Sequence, residues 1–470
     1  MPKEFYDREG ELKQLNHKLE TLKSGEFTVM YGRRRVGKTE IVKQFLEDVK
    51  TKKLYFYVDL IEKTGLIEAM SDEIAKQLGE TVRFEKWDDF FEYIYQVSVK
   101  EKLVLVIDEF QRFLEISPDF ITKLQRYWDE KLKNTKIMLI IVGSSIGMML
   151  RITKSSAAPL YGRISNRMKI SPFRYVDFRK MFKSLTEEEK IKYYAVFGGT
   201  PHYLMHVKGM AENLYTCISS LVLNRSGKLY EEPAILMESE NIRTHARYNS
   251  ILQSISLGKE ITKEIQDYSH IPGTTLPAYL KRLDELLDII YKKEPVLGKE
   301  KHGRYRIKDN FFNFWYKFVF PNQSALNLGN IKSVEDDIKE NLNSYVGRIF
   351  ENVIIELLAL YINKKIKGLD IDFEEIGSWW DRKANEIDIV AYNRKKGNIL
   401  LGEVKWTNEK LDIDVLENLM RKAKFINFKG IYRFMLASKS GFTKKCIDKM
   451  NEINCMYIDL SDIEKLFDEA

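Results

Sequence analysis

The sequence predicts an α/β protein that begins with a parallel sheet wrapped by helices, and three observations carry this. The octapeptide Gly32-Arg33-Arg34-Arg35-Val36-Gly37-Lys38-Thr39 lies between an apolar strand and a helix, the apolar run 103–107 ends in two acids, and apolar runs alternate with helical periodicity over the first third of the chain. The lead-in strand is Phe27-Thr28-Val29-Met30-Tyr31. The helix leading out starts at Glu40.

The octapeptide fits G-x-x-x-x-G-K-[ST] at every defined position. Its glycines let backbone amides close around phosphates, and the free N–H groups at the start of the helix favour an anion there. Lys38 is placed to reach the terminal phosphates and the Thr39 hydroxyl to hold Mg2+, with Arg33, Arg34, Arg35 and Val36 forming the rest of the cradle. These residues point to a nucleotide pocket, with ATP and Mg2+ as the expected cofactors.

The second strand is predicted at 54–58, with two helices before the next. Residues 103–107 are apolar without interruption, as expected of a central strand buried on both faces. Ligands of open α/β sheets bind at the carboxyl ends of strands, so Asp108 is expected beside the phosphate loop as a metal ligand, and Glu109 as general base. A further strand at 136–142 ends in Gly143-Ser144-Ser145. Ser144 is thereby a candidate sensor of the γ-phosphate, an ordinary polar turn being the competing reading. Arg163, in the loop that follows, is a candidate for stabilising charge on the transferred phosphoryl group, against a plain surface ion pair.

Composition fits a globular chain of several domains. Of the 470 residues, 31% are charged and 44% hydrophobic, which excludes a disordered polymer. No apolar run approaches the roughly 18 residues that span a bilayer, and the first residues show no apolar signal core; a cytoplasmic protein without membrane contact is expected. Cys217, Cys446 and Cys455 are scattered and support neither a disulfide framework nor a zinc site. His202 and His206 share a helical face but lack the intervening acid of a zinc protease helix.

The expected organisation is an ATPase core at 1–170, a helical lid at 171–240 interrupted around Gly198-Gly199-Thr200-Pro201, and a winged helix at 241–322. The winged helix is read from helices at 248–257, 262–268 and 276–287 followed by strands at 286–291 and 304–307. Its wing carries Lys292, Lys293, Lys299, Lys301, Arg304, Arg306 and Lys308 against Glu294 and Glu300, within a net charge of +7. Such a wing either touches phosphate or packs between domains. Residues 321–336 are expected to be a linker.

The last part, 336–470, holds a separate set of chemical groups. An amphipathic helix at 344–362 carries Glu351 on its edge. A strand follows with Asp388 at its mouth, then a turn at 393–398, then a strand through Glu403 and Lys405, which alternation puts on one face about 7 Å apart. Asp388 is expected beside Glu403. Two carboxylates converging next to a lysine suit metal-assisted phosphodiester cleavage, with Glu351, Asp388 and Glu403 as metal ligands and Lys405 positioning or deprotonating water. A Glu-Lys pattern on a solvated sheet face is the bland alternative.

Taken with Phe5-Tyr6-Asp7-Arg8-Glu9, Pro159-Leu160-Tyr161-Gly162-Arg163 and Asp309-Asn310-Phe311-Phe312-Asn313-Phe314-Trp315, these motifs resemble archaeal-type P-loop ATPases of the STAND/AAA+ group with a C-terminal nuclease-like domain of the PD-(D/E)xK superfamily. The resemblance implies a P-loop ATPase with parallel sheet, helical lid, winged helix and a C-terminal α/β restriction-endonuclease-like domain. It also implies that Arg8 contributes to the adenine side of the pocket and that Pro201 belongs to a lid reporting on the nucleotide. Asp388 lacks the proline of the eponymous motif. The implied activity is an ATP-driven switch coupled to a Mg2+-dependent DNA endonuclease in defence or mobile-element biology, the alternative being an ATP-gated scaffold that binds nucleic acid or protein without cutting. DNA is the favoured partner, with a homo-oligomer and a protein regulator left open.

Overall fold

A computed structural model of the chain describes residues 6–154, 156–210, 213–239, 245–298 and 303–470. Phe5, Lys299, Glu300 and Lys301 lie outside the described residues. The chain forms two compact units. The first runs to Pro172 and includes Lys281–Asp288; the second contains Phe173–Met237, the segment up to Leu280 and Ile289–Ala470.

In the first unit, β1 (Glu26–Tyr31), β2 (Lys52–Tyr57), β3 (Leu103–Asp108), β4 (Ile137–Gly143) and β5 (Asn166–Lys169) form one parallel sheet in the order β2-β3-β4-β1-β5. β3 and β4 are buried along their whole length, as their apolar sequences require of strands covered on both faces. Helices Trp87–Lys100 and Pro118–Glu130 cover one face through Trp87, Phe90, Phe120 and Trp128. Helices Glu9–Glu20 and Lys38–Asp48 cover the other through Leu15, Val42 and Phe45. Because β4 lies between β1 and β3, the turn after Gly143 emerges between the phosphate loop and Asp108.

The second unit starts with helices Tyr175–Met181, Glu187–Phe197 and Pro201–Lys208. Helices His245–Ser256, Thr262–Ser269 and Leu276–Lys281 precede an antiparallel hairpin of β6 (Ile290–Lys293) and β7 (Arg304–Ile307). The third of these helices passes without a break into a π-helical turn at Arg282–Leu286, so the helical stretch matches the expected 276–287, and Asp288 adopts a left-handed φ of 54° before β6. Residues 321–336 are not a linker. Short helical turns continue through Asn327, and the Asn330 side chain caps a 30-residue helix, Ile331–Leu360, that begins well before the expected start at 344.

Beyond the small hairpin of β8 (Lys364–Ile366) and β9 (Leu369–Ile371), a second five-stranded sheet forms from β10 (Glu375–Trp380), β11 (Glu386–Asn393), β12 (Asn398–Lys405), β13 (Ile431–Ser438) and β14 (Met456–Asp459) in sequential order. The first two joins are antiparallel and the last two parallel. Helices Ile413–Ala423 and Lys444–Glu452 bury Leu416, Leu419 and Met450 against it.

Two sequence motifs meet inside the second unit. Asp309 caps the helix starting at Asn310 with one oxygen and accepts from Thr200 Oγ1 with the other, at 3.2 Å. At Gly199 the backbones touch: its carbonyl accepts from Phe173 N at 2.7 Å, and a Cβ there would lie 1.9 Å from the Phe173 carbonyl oxygen. Gly199→Ala should therefore cost roughly 1–3 kcal/mol, as overpacking against backbone does, measured by urea unfolding of the whole chain. A variant as stable as the parent would show that the close approach is not required.

Candidate functional site

The phosphate loop is shaped by local backbone constraint. Gly37 has φ 92° and Arg35 φ 71°, and a Cβ on Gly32 would lie 2.2 Å from the Ile170 carbonyl oxygen at the end of β5. Lys38 turns back over the loop, donating to the carbonyls of Gly32 and Arg33 at 2.9 and 2.8 Å. Arg8, itself left-handed at φ 80°, donates to the Val36 carbonyl at 3.2 Å and the Ser171 carbonyl at 2.6 Å, so it braces the loop against the chain leaving β5.

Beside the loop, Thr39 Oγ1 donates to Asp108 Oδ2 at 2.8 Å. Tyr55 on β2 donates to the same oxygen at 2.9 Å, and burial beside Asp108 pushes its phenol pKa up. Glu109 adopts φ 57°, an uncommon conformation that aims its carboxylate back across the sheet edge. There it accepts from Ser144 Oγ at 2.8 Å and Gln111 Nε2 at 2.6 Å. Glu109, Ser144 and Gln111 thus form one hydrogen-bonded group at the carboxyl edge of β3 and β4.

Arg163 is elsewhere. Its guanidinium makes two bonds to Asp129, at 2.9 and 2.6 Å, and donates to the Pro159 and Tyr161 carbonyls. Asp129 follows Trp128, which packs on Phe27 near the start of β1, and Ser165 donates to the Phe27 carbonyl. The arginine therefore lies at the amino edge of the sheet, about 16 Å of strand from the phosphate loop at 3.3 Å per residue. This corrects the expectation of a charge-stabilising arginine. Pro201, expected to report on nucleotide, starts a helix in the second unit.

The second set of candidate residues converges within the second unit. The backbone register of β11 and β12 runs as far as Ile389 opposite Gly402; beyond it the Asp388 side chain takes over, Oδ2 accepting from Val404 N at 2.8 Å. Asp388 and Glu403 are 7% and 2% exposed, so neither charge is relieved by bulk water. The Lys405 ammonium bridges them, 3.1 Å from Asp388 Oδ2 and 2.6 Å from Glu403 Oε2, and Lys422 of helix Ile413–Ala423 binds the other Glu403 oxygen.

Burial, then the Glu403 charge, pushes the Asp388 carboxyl up to about 6. Burial also acts on Glu403, but Lys405 and Lys422 outweigh it and hold that carboxyl below its ordinary value. Burial, followed by Asp388, pushes Glu351 up to about 8. All four predicted residues line one cavity of about 820 Å³, together with Glu260, Arg304, Arg306, Arg348 and Lys422. Both donor sets, Thr39 with Asp108 and Asp388 with Glu403, offer oxygen alone, as a hard divalent cation requires, and the latter pair already holds a cation in the form of an ammonium. Among the described residues, no group of three or more His, Cys, Asp or Glu side chains is drawn tightly enough together to hold a metal ion by itself.

Comparison with known proteins agrees with the first of these sites. Residues 5–207 match the family model of an ATPase domain predominantly from Archaea. Over 465 residues the chain is 34% identical to an uncharacterized protein of Methanocaldococcus jannaschii, covering 97% of this chain and 99% of that one. The chain belongs to the same family as that protein, and its residues 5–207 are an ATPase domain of the matched type. Residues 315–422 match a model of archaeal and bacterial proteins of unknown function, which assigns no chemistry to the C-terminal cavity. Among solved structures, the Walker-type ATPase of Pyrococcus abyssi is similar, with TM-score 0.52 and 20% identity over 66% of this chain and 96% of that one; the likeness is one of fold. The Aeropyrum pernix ORC2 protein, in ADPNP and ADP complexes, gives TM-score 0.45 and 16% identity over 72% and 96%. No helix among the described residues is long and apolar enough to cross a membrane.

Tyr55, Gln111 and Lys422 were not singled out from the sequence. Tyr55→Phe in this ATPase should weaken nucleotide-dependent turnover by several fold, because Asp108 loses one of the two donors that orient Oδ2. Unchanged steady-state hydrolysis would remove Tyr55 from the pocket. A second expectation concerns pH. The Glu351 pKa is raised on folding, so its protonation stabilises the fold fully below the ordinary carboxyl range, and this stability is lost as pH rises through about 8. In chelator, the melting temperature should fall between pH 5 and 9, and Glu351→Gln should flatten the fall; an unaltered slope would contradict the assignment.

Proposed function

We propose that the protein is an ATP-binding and ATP-hydrolysing switch that controls a Mg2+-dependent DNA endonuclease centre in the C-terminal cavity. The observation carrying the nuclease half is the Lys405 ammonium held between Asp388 and Glu403 in a cavity that Glu351 also lines. An acid on a helix, an acid on each of two adjacent strands and a lysine two residues beyond the second form the arrangement expected for phosphodiester hydrolysis.

In the nucleotide pocket, Lys38 leaves its loop carbonyls to meet the terminal phosphates, and Thr39 and Asp108 are the residues that would hold Mg2+. Glu109, oriented by Ser144 and Gln111, accepts the proton of the attacking water, and Ser144 links that carboxylate to the γ-phosphate. In the cavity, Asp388 and Glu403 are the residues that would hold the divalent ion, and Glu351 lines the same space without closing on them as a third ligand. Bound Mg2+ would supply charge neutralisation on phosphoryl oxygens in either pocket. Asp388 and Glu403 together outweigh burial and hold the Lys405 ammonium charged; beside a bound cation Lys405 would position or deprotonate the water and stabilise negative charge on the scissile phosphate.

A second reading, an ATP-gated scaffold that binds nucleic acid or a protein without cutting, is favoured by a different observation. Both oxygens of Glu403 are paired with lysines, so that carboxylate is neutralised by the protein itself. Incubating the protein with plasmid, linear and single-stranded DNA in Mg2+ or Mn2+, with and without ATP, separates the two. Asp388→Ala and Lys405→Ala should abolish cleavage and leave ATP hydrolysis intact, whereas Lys38→Ala should abolish hydrolysis and the nucleotide dependence of cleavage. No cleavage by the parent under any of these conditions would favour the scaffold.

A further inference from the structure

The basic hairpin of the winged helix is turned toward the acidic cavity of the same unit. Gly303, Arg304 and Arg306 on and beside β7 line that cavity, with Arg348 from the long helix. Arg304 donates to Glu386 at 2.9 Å and stacks 4.5 Å above the ring of Trp380, so two contacts fix the plane of its guanidinium. Arg306 and Arg348 both pair with Glu260, which is 5% exposed. Burial raises the Glu260 carboxyl against the pull of the two arginines.

From β6, Lys293 donates to Ser378 Oγ at 2.9 Å, and Ser378 donates to the Asp388 carbonyl at 2.7 Å. A side chain of the hairpin thereby reaches the backbone of Asp388 through one intermediary. Both strands of the hairpin are engaged: β6 props the strand that carries Asp388, and β7 walls the space above it. The hairpin leaves that space open, because about 820 Å³ remains between its arginines and the buried acids.

We propose that the centre is composite, and that Arg304, with Arg306 and Arg348, is a backbone-phosphate clamp that holds one strand of nucleic acid over Glu351, Asp388, Glu403 and Lys405. Arginine suits this role since its planar fork pairs with phosphate through two hydrogen bonds, and Arg304 already meets the Glu386 carboxylate through one of its nitrogens. The depth of the acids sets the substrate class. Asp388 and Glu403 are 7% and 2% exposed behind a wall of arginines, so a flexible single strand can bring a phosphate to them where the stiff, wider duplex cannot. The substrate class is therefore single-stranded nucleic acid or a frayed end. Arg304 acts as a positioning residue. This proposal rests on the reading of the cavity as a nucleic-acid site and is independent of whether the site cuts.

The test is binding by the full chain in Ca2+, measured by fluorescence anisotropy with a labelled 20-nucleotide single-stranded DNA and with the blunt duplex of the same sequence. The single strand should bind about tenfold more tightly than the duplex. Arg304→Ala should weaken single-strand binding about tenfold and lower the salt dependence by roughly one phosphate contact, with Arg304→Lys restoring the salt slope but only part of the affinity. ATP hydrolysis and melting temperature, followed in parallel, should be unchanged and so exclude misfolding. Equal or tighter binding of the duplex, or single-strand binding indifferent to Arg304→Ala, would overturn the clamp. If Arg304→Ala weakens binding while the parent never cleaves DNA, the clamp stands and the nuclease reading fails; if cleavage persists at unchanged KM in Arg304→Ala, the clamp fails and the nuclease reading stands.

Discussion

The C-terminal architecture depends on one shared ammonium. Asp388 and Glu403 are brought together by adjacent strands of a sheet whose interior is apolar, where two uncompensated carboxylates would repel one another and lose hydration. Lys405 sits on the same strand face as Glu403 and reaches both acids, and Lys422 closes the remaining oxygen from a helix packed on that sheet. Even so the balance is incomplete, since Asp388 and Glu351 stay above the ordinary carboxylate range. The cavity thus holds carboxyls whose ionisation is resisted, next to open space. Such an arrangement costs stability and suits a site that receives a cation or the phosphates that accompany one.

The nucleotide pocket is organised by a different constraint, the order of strands. Inserting β4 between β1 and β3 puts Ser144 where Glu109 can find it, while the parallel course of every strand gathers Thr39, Asp108, Glu109 and Ser144 at one edge. The left-handed backbone of Glu109 and the hydrogen bonds from Ser144 and Gln111 set its carboxylate in place through contacts within the protein. Preorganisation of this kind is what hydrolysis of a bound triphosphate asks of a protein.

Much of this was legible in the sequence because the informative patterns are local. The phosphate loop needs only eight consecutive residues and a strand before them, and the Asp388, Glu403 and Lys405 group follows from period-two alternation across one tight turn. Contacts that depend on which strands become neighbours were less accessible. Tyr55 meets Asp108 through the pairing of β2 with β3, and Lys422 meets Glu403 through a helix that returns over the sheet. Arg163 shows the same limit from the other side. It precedes β5, and since β5 runs parallel to β1, residues before it fall at the amino edge, far from the phosphate loop however near they stand to Ser144 in the chain. The basic wing was legible as charge alone. Its partners, Glu386, Glu260 and Ser378, come from segments remote in sequence, and they make the hairpin a wall of the cavity.

Crystals of the chain grown with Mn2+, examined by anomalous scattering, show directly whether Asp388 and Glu403 take a divalent cation. A peak is expected within coordination distance of Asp388 Oδ2 and Glu403 Oε2, with the Lys405 ammonium displaced from between them. An ammonium still bridging the two carboxylates, and no peak in the cavity at saturating Mn2+, would contradict it.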